Sequence, residues 1–175
     1  MYDAVFFDLD GTLIDTETIA LATGIAAFAA HGHVVDELFM HGLVGKDEPS
    51  AARLIRAALP DADLDAVNRH WRSGFAAGVD AGLALKPGAE ALLAMASQPL
   101  AIVTSTGRTG AHHKLAIAGI AAAFTHVVTL DDVTAPKPAP DPYLLAASLF
   151  GLAPERCLVF EDSETGAEAA HRAGC

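Results

Sequence analysis

A chain of 175 residues is long enough for one compact unit, or for a core carrying a modest insertion. Hydrophobic residues make up 52% of it, many of them Ala, which suits a genuine core built with close-packed helices. The formal net charge of −11 leaves no broad basic surface to track a nucleic-acid backbone or an anionic membrane, so positive charge for an anionic ligand must be local or come with a metal.

In chain order, Tyr2 to Asp8 reads as a buried parallel strand that ends in Asp-Leu-Asp-Gly-Thr, where Gly11 permits a tight turn. Its apolar part, Ala4 to Phe7, has no basic leader and runs straight into Asp8, so no targeting segment is expected. A long helical stretch follows from about Thr16 to Gly82, broken at His31-Gly32-His33, at Gly42 to Pro49 and at Pro60-Asp61. Within it the apolar run Ile19 to Ala30 is far short of the ~20 residues that span a bilayer, and reads as a buried helix. After Lys86-Pro87-Gly88 strands and helices alternate: strand at Pro99 to Thr104, helix at Gly110 to Ala118, strand at His126 to Thr129. A helix from Pro140 to Phe150 opens on a proline, whose preset φ suits that place. The last strand is Cys157 to Phe160, and Ser163 can cap the final helix, which ends near Gly174.

Such alternation predicts an α/β fold, a Rossmann-like parallel sheet wrapped by helices, with a small α-helical domain inserted after the first strand. The expected boundaries are 1–15 with 87–175 for the core and 16–86 for the insertion. The two cysteines, Cys157 and Cys175, form no disulfide framework and suit a reducing cytosol, so a cytoplasmic protein, monomeric or weakly dimeric, is expected.

The residues with chemistry fall at strand ends, where open parallel sheets bind their ligands. Asp8 and Asp10 are two apart in an extended segment, so both carboxylates can face one site. Thr104-Ser105-Thr106 follows an apolar strand and offers hydroxyls and backbone N–H groups for phosphate oxygens. Lys137 stands in Lys-Pro-Ala-Pro-Asp, where two prolines restrict the backbone around the ammonium. Glu161-Asp162-Ser163 ends the last strand. Each alone is ordinary: an acidic turn, a polar loop, a surface lysine, the acidic start of a helix. Together they are far more specific.

The segments DLDGTLIDTE at Asp8, VTST at Val103, KPAPD at Lys137 and FEDSETG at Phe160 resemble the four motifs of the haloacid dehalogenase-like hydrolase superfamily, in its order and approximate spacing. The inserted helices are similar to the small cap of its phosphoglycolate phosphatase and β-phosphoglucomutase branch. The resemblance implies a Mg²⁺-dependent phosphatase of small phosphorylated metabolites, such as sugar phosphates, working through an aspartyl-phosphate. Asp8 is then the nucleophile and Asp10 the acid and base. Thr104 and Ser105 bind the phosphoryl oxygens, and Lys137 offsets negative charge. Asp162 ligates Mg²⁺ with Asp8 and the main-chain carbonyl of Asp10, with Glu161 as a helper. Electrostatics agrees: at ~4 Å and an effective dielectric of about 20, each like-charge pair costs roughly 4 kcal/mol, more than one lysine offsets for a phosphate dianion among carboxylates.

The cap is expected to close over the site and supply specificity. Its cationic candidates are Lys46, Arg53, Arg56, Arg69 and Arg72, with Lys46 singled out in the glycine-flanked loop Gly42 to Lys46. Arg108, just past Thr106, is a further candidate for a substrate anion. The resembling mutases carry a His where this chain has Ala20, which favours a phosphatase over a sugar phosphomutase. Two rivals from other classes are a receiver module that accepts phosphate on an Asp, and an inactive binding relative. The eight histidines show no zinc-ligand pattern and are read as non-catalytic. Members of the superfamily continue past a segment like Ala173-Gly174-Cys175 into another strand, so the strand from Cys157 is expected to present an exposed edge.

Overall fold

The structure is a computed structural model that describes residues 2–43 and 48–175, so Lys46 lies outside the described residues. Among the described residues four parallel strands form one sheet in the order β3-β2-β1-β4: β1 (Ala4–Phe7), β2 (Leu100–Val103), β3 (His126–Val128) and β4 (Cys157–Phe160). The sheet is short and covered on both faces, which is why its strands read as unbroken apolar runs rather than alternating ones. Side chains divide strictly by parity. Ala4, Phe6, Ala101 and Val103 pack with Tyr143, Ala146 and Ala147 of α7 (Asp141–Phe150) and with Ala169, Ala170 and Ala173 of α8 (Glu164–Ala173). Val5, Phe7, Leu100 and Ile102 pack on the other face, with Ala89 of α5 (Ala89–Met95) and with Ala111 and Leu115 of α6 (Arg108–Ile117). The alanines let α7 and α8 lie close to the sheet. β4 is an edge strand, pairing with β1, and Leu158, Val159 and Phe160 are half-buried.

The helix ends follow local chemistry. The Ser163 hydroxyl accepts from Gly166 N at 3.0 Å to cap α8, and Gly174, at φ +90°, ends it in the left-handed region. Helix α5 has no counterpart in the sequence reading. It is two turns long, too short for a helical period to stand out from its apolar composition.

Contacts divide the chain into two compact units, residues up to Asp15 with Leu83–Cys175, and Thr16–Gly82. Residues 83–86 fall in the first unit because their backbone pairs with the loop after β1: Asp15 N donates to Ala84 O and Lys86 N to Leu13 O, both at 2.9 Å. No periodicity betrays so short a pairing.

The second unit holds α1 (Thr16–Ala30), α2 (Glu37–His41), α3 (Glu48–Ala58) and α4 (Leu64–Ala81), around Phe28, Met40, Ile55, Leu64 and Val67. α1 and α4 approach closely through glycines. Gly74 and Gly78, one turn apart on α4, face Thr23 and Ile19 on α1, and a Cβ on Gly78 would lie 2.5 Å from Ile19 Cγ2. Gly24 faces the Trp71 ring, whose Nε1 donates to Ala20 O at 2.9 Å. No helix among the described residues is long and apolar enough to cross a membrane. A Cβ at Gly24 would sit 2.8 Å from Trp71 Cε2, so Gly24→Val is expected to overpack this interface and cost about 1–3 kcal/mol. The urea midpoint should fall accordingly; an unchanged midpoint would contradict the packing.

Candidate active site

Because the strands run parallel and in register, their carboxyl ends open on one side. Phe7 is level with Ile102 and Phe160, so the residues just beyond, Asp8, Thr104, Glu161 and Asp162, meet there. The backbone carries the register one step past the strands: Asp8 N donates to Phe160 O at 3.0 Å, and Thr104 N to Val128 O at 2.9 Å. Even parity along β1 sends Asp8 to the α7 side of the sheet. A cleft of about 290 Å³ is lined there by Asp8, Asp10, Thr104, Ser105, Lys137 and Asp162, among others. A larger hollow of about 410 Å³ lies wholly within Thr16–Gly82, lined by Ile55, Leu64, Trp71, Arg56 and Arg72 among others, and no acidic cluster lies there among the described residues.

Lys137 is the hub. Its Nζ donates to Asp8 Oδ1 at 2.7 Å, to Val103 O at 2.8 Å and to Glu161 Oε1, and it lies 5.2 Å from the Tyr143 ring centroid. Only 4% of its side chain is exposed, so these partners replace the water an ammonium requires. Glu161 is held at both oxygens. Oε1 also accepts from the Tyr143 hydroxyl at 3.0 Å, and Oε2 accepts from Ser163 N and Oγ at 3.1 and 2.9 Å. Burial would raise the Glu161 carboxyl, but Lys137 and the Ser163 hydrogen bonds outweigh it and hold the group below its ordinary value. Asp8 fares the opposite way. Burial pushes it up, Lys137 pulls it down, and Glu161 and Asp10 push it up again, for a value of about 7. One ammonium cannot hold two buried carboxylates charged, and Asp8 carries the deficit.

Asp162 turns to the other side. Its Oδ1 accepts from Thr12 Oγ1 at 2.7 Å, and its carboxylate packs against Gly11, where φ is +85° and any Cβ would overlap it. Gly11 is thus required both by its backbone and by the carboxylate beside it. Asp10 points its oxygens at Lys114 Nζ and Thr106 Oγ1, each 2.6 Å away.

Oxygen atoms of Asp8, Glu161 and Asp162 lie within 4.8 Å of one another. This is an all-oxygen, anionic donor set, the chemistry that fits a hard divalent cation. Within the group formed by Asp8, Asp10, Glu161, Asp162, Lys137 and Lys114, four carboxylates face two ammonium groups, and the excess equals the charge of one such ion.

A haloacid dehalogenase-like hydrolase profile matches residues 2–174. The chain belongs to that family. It is 37% identical to hexitol phosphatase A of Escherichia coli over 97% of this chain and 78% of that protein. With a fructose-1-phosphate phosphatase of the same organism it shares 32% identity over 99% and 93% of the two chains. A solved hydrolase of the family from Deinococcus radiodurans, with bound phosphate and sodium, superposes with a TM-score of 0.87 at 31% identity, over 99% of this chain and 78% of that one.

Of the residues expected from the sequence, the hydrolase brings together Asp8, Asp10, Thr104, Ser105, Lys137 and Asp162 at one cleft. Glu161 joins them through Lys137. Arg108 does not line the cleft, and its side chain pairs with Asp132 at 2.5 Å. Arg53, Arg56, Arg69 and Arg72 are exposed in the helical unit, and Arg53 donates to Ser50 Oγ at 2.8 Å. Sequence reasoning missed Thr12, Lys114 and Tyr143. Lys114 had a legible signal: it follows buried Ala111 by three residues and precedes buried Leu115, a core-facing place where a lysine needs a partner.

The Asp8 value carries a stability consequence. Its folded value lies above the unfolded one near 3.8, so the folded state binds the extra proton between about pH 4 and 7. Stability from this group is present at low pH and is lost as pH rises through about 7. In chelator at pH 8, Asp8→Asn should therefore melt at least about 3 °C above the wild type, with the gap closing near pH 4. Thermal melts across pH check this, and a variant melting below the wild type at pH 8 would refute it.

Proposed function

We propose that the chain is a Mg²⁺-dependent phosphoric monoester hydrolase of small phosphorylated sugars or sugar alcohols, with Asp8 as its nucleophile. The observation that carries this reading is the Asp8 carboxylate at the tip of β1, buried, bonded to Lys137 and clustered with Glu161 and Asp162. The names of the two bacterial relatives, a hexitol phosphatase and a fructose-1-phosphate phosphatase, support the substrate class. In this reading residues 16–82 are the cap that selects the substrate.

The chain's own residues divide the work. Thr104, with Ser105 and its backbone, receives the phosphoryl oxygens at the end of β2. An Asp8 oxygen attacks phosphorus, the ester P–O bond breaks, and Asp10 delivers a proton to the departing oxygen. Asp10 then takes a proton from water as that water attacks the aspartyl-phosphate, which returns the Asp8 carboxylate and frees inorganic phosphate. Lys137 steadies negative charge on Asp8 and on the transferring group. Asp8, Asp162 and the main-chain carbonyl of Asp10 would hold Mg²⁺, which supplies charge neutralisation that the two ammonium groups leave incomplete. Glu161, with both oxygens engaged by Lys137, Tyr143 and Ser163, fits an anchor for Lys137 better than a direct ligand.

The test is a panel of hexose, ketose and hexitol phosphates scored by phosphate release with Mg²⁺ and with EDTA. Turnover is expected with Mg²⁺ and is expected to vanish with EDTA. Asp8→Asn should abolish turnover while the fold persists, and Asp10→Asn should lower it by about 10²–10⁴-fold. Turnover retained by a folded Asp8→Asn protein would sink the nucleophile assignment.

A further inference from the structure

We propose that Lys114 is a positioning residue, which with Thr106 fixes the Asp10 carboxylate in the orientation needed to protonate the leaving oxygen. The proposal rests on the reading of Asp10 as the acid given above. Lys114 belongs to none of the motif segments and does not line the cleft. It acts from behind.

The register of α6 makes its placement unusual. Ala111 and Leu115 are buried in the core on one face of this helix, and Lys114 lies on that same face. An aliphatic side chain would be the ordinary occupant. Only 12% of the Lys114 side chain is exposed, so its ammonium has exchanged most of its water for protein partners. Those partners include Asp10 Oδ1 at 2.6 Å and Thr106 Oγ1 at 3.3 Å. The Thr106 hydroxyl donates in turn to Asp10 Oδ2 at 2.6 Å. Each carboxylate oxygen thus has its own short hydrogen bond, and the ammonium contacts both partners of the clamp.

The clamp is itself anchored. Thr106 N donates to Thr104 Oγ1 at 3.1 Å, and Thr106 O accepts from Leu130 N at 3.2 Å. Asp10 is therefore tied to the loop after β2, the same loop expected to hold the phosphoryl group. Lys137 cannot take this role. Its three N–H donors are committed to Asp8, Val103 O and Glu161. A carboxylate beside three others needs positive charge of its own to stay in place, and Lys114 supplies it. Side-chain rotation that costs Asp10 its aim lowers the rate of any step in which it must meet a developing oxyanion.

A positioning role through Asp10 makes a distinct prediction, because proton donation matters for a poor leaving group and little for a good one. The probes are phenyl phosphate and 2,4-dinitrophenyl phosphate, compared by kcat/KM, which reports phosphoryl transfer to Asp8. Lys114→Met should lower kcat/KM for phenyl phosphate by about 10²-fold and for the dinitrophenyl ester by less than about 3-fold, as Asp10→Asn should. Lys114→Arg should recover part of the phenyl phosphate loss. In an Asp10→Asn background, Lys114→Met should add almost nothing, since both changes remove one function. Equal losses on the two esters, no loss on either, or full additivity in the double variant would each overturn the proposal. A wild-type protein that hydrolyses neither ester would instead overturn the phosphatase reading on which it rests. Circular dichroism and melting of each variant identify a folding defect, and a folded Lys114→Arg protein with no recovery counts against the role.

Discussion

One ammonium group shared between two buried carboxylates is the constraint around which the site is built. Lys137 reaches Asp8 and Glu161 together because the parallel register ends β1 and β4 at the same level, and because the Tyr143 ring and Val103 O close the space around it. The sharing is unequal. Glu161 has further donors in Tyr143 and Ser163, so it keeps its charge, and Asp8, buried without those donors and crowded by Glu161 and Asp10, is pushed up to about 7. To serve as the proposed nucleophile, a carboxylate in that condition needs more positive charge than Lys137 alone provides. The acidic excess of the cleft and the chemistry proposed for it are therefore two aspects of one arrangement.

The acidic pair at the end of β4 shows how the backbone divides labour between neighbours. Successive side chains on an extended segment point to opposite sides. Glu161 turns inward to Lys137 and Tyr143, while Asp162 turns to Gly11 and Thr12 in the loop that follows β1. Gly166 fits the same logic, since a Cβ there would overlap the Glu161 carboxylate, so the first turn of α8 must carry a glycine for Glu161 to fold back beneath it. The glycines at 11 and 166 belong to the site as much as the carboxylates do, although neither has a functional group.

Much of this was legible in the sequence, and the parts that were not share a cause. The four strands, α7 and α8 announced themselves through unbroken apolar runs, the Pro140 start and the Ser163 cap, all of which are local signals. Asp8 and Asp162 could be placed together because each lies just past a strand end and a parallel sheet gathers strand ends, while Lys137, in the segment before α7, was placed with them by its motif. Lys114 is 104 residues from Asp10 and lies mid-helix, where only helix register could have flagged it. Tyr143 is a core residue of α7, yet its hydroxyl reaches Glu161. Thr12 reads as part of a turn, and its contact with Asp162 spans 150 positions. Pairing of residues 83–86 with the loop after β1 escaped for the same reason: backbone contacts between distant segments leave no mark on composition.

The two aspartates of the first loop show what the structure adds to a motif. Asp8 and Asp10 are chemically identical, two residues apart, on the same side of the chain, and would be expected to behave alike. Different lysines bond to them. Asp8 is buried against Lys137, which Glu161 also claims, whereas Asp10 is more exposed and is gripped at both oxygens by Lys114 and Thr106. Had one lysine served both, each change of charge on one carboxylate would have been felt directly by the other through that common partner. Two lysines from different elements, one in the segment before α7 and one in α6, give each carboxylate a cationic partner of its own, although Asp10 still acts on Asp8 through space. In the proposed reading Asp8 loses its proton and Asp10 gives one up, and separate cationic partners let a single short loop serve both halves of the phosphoryl transfer.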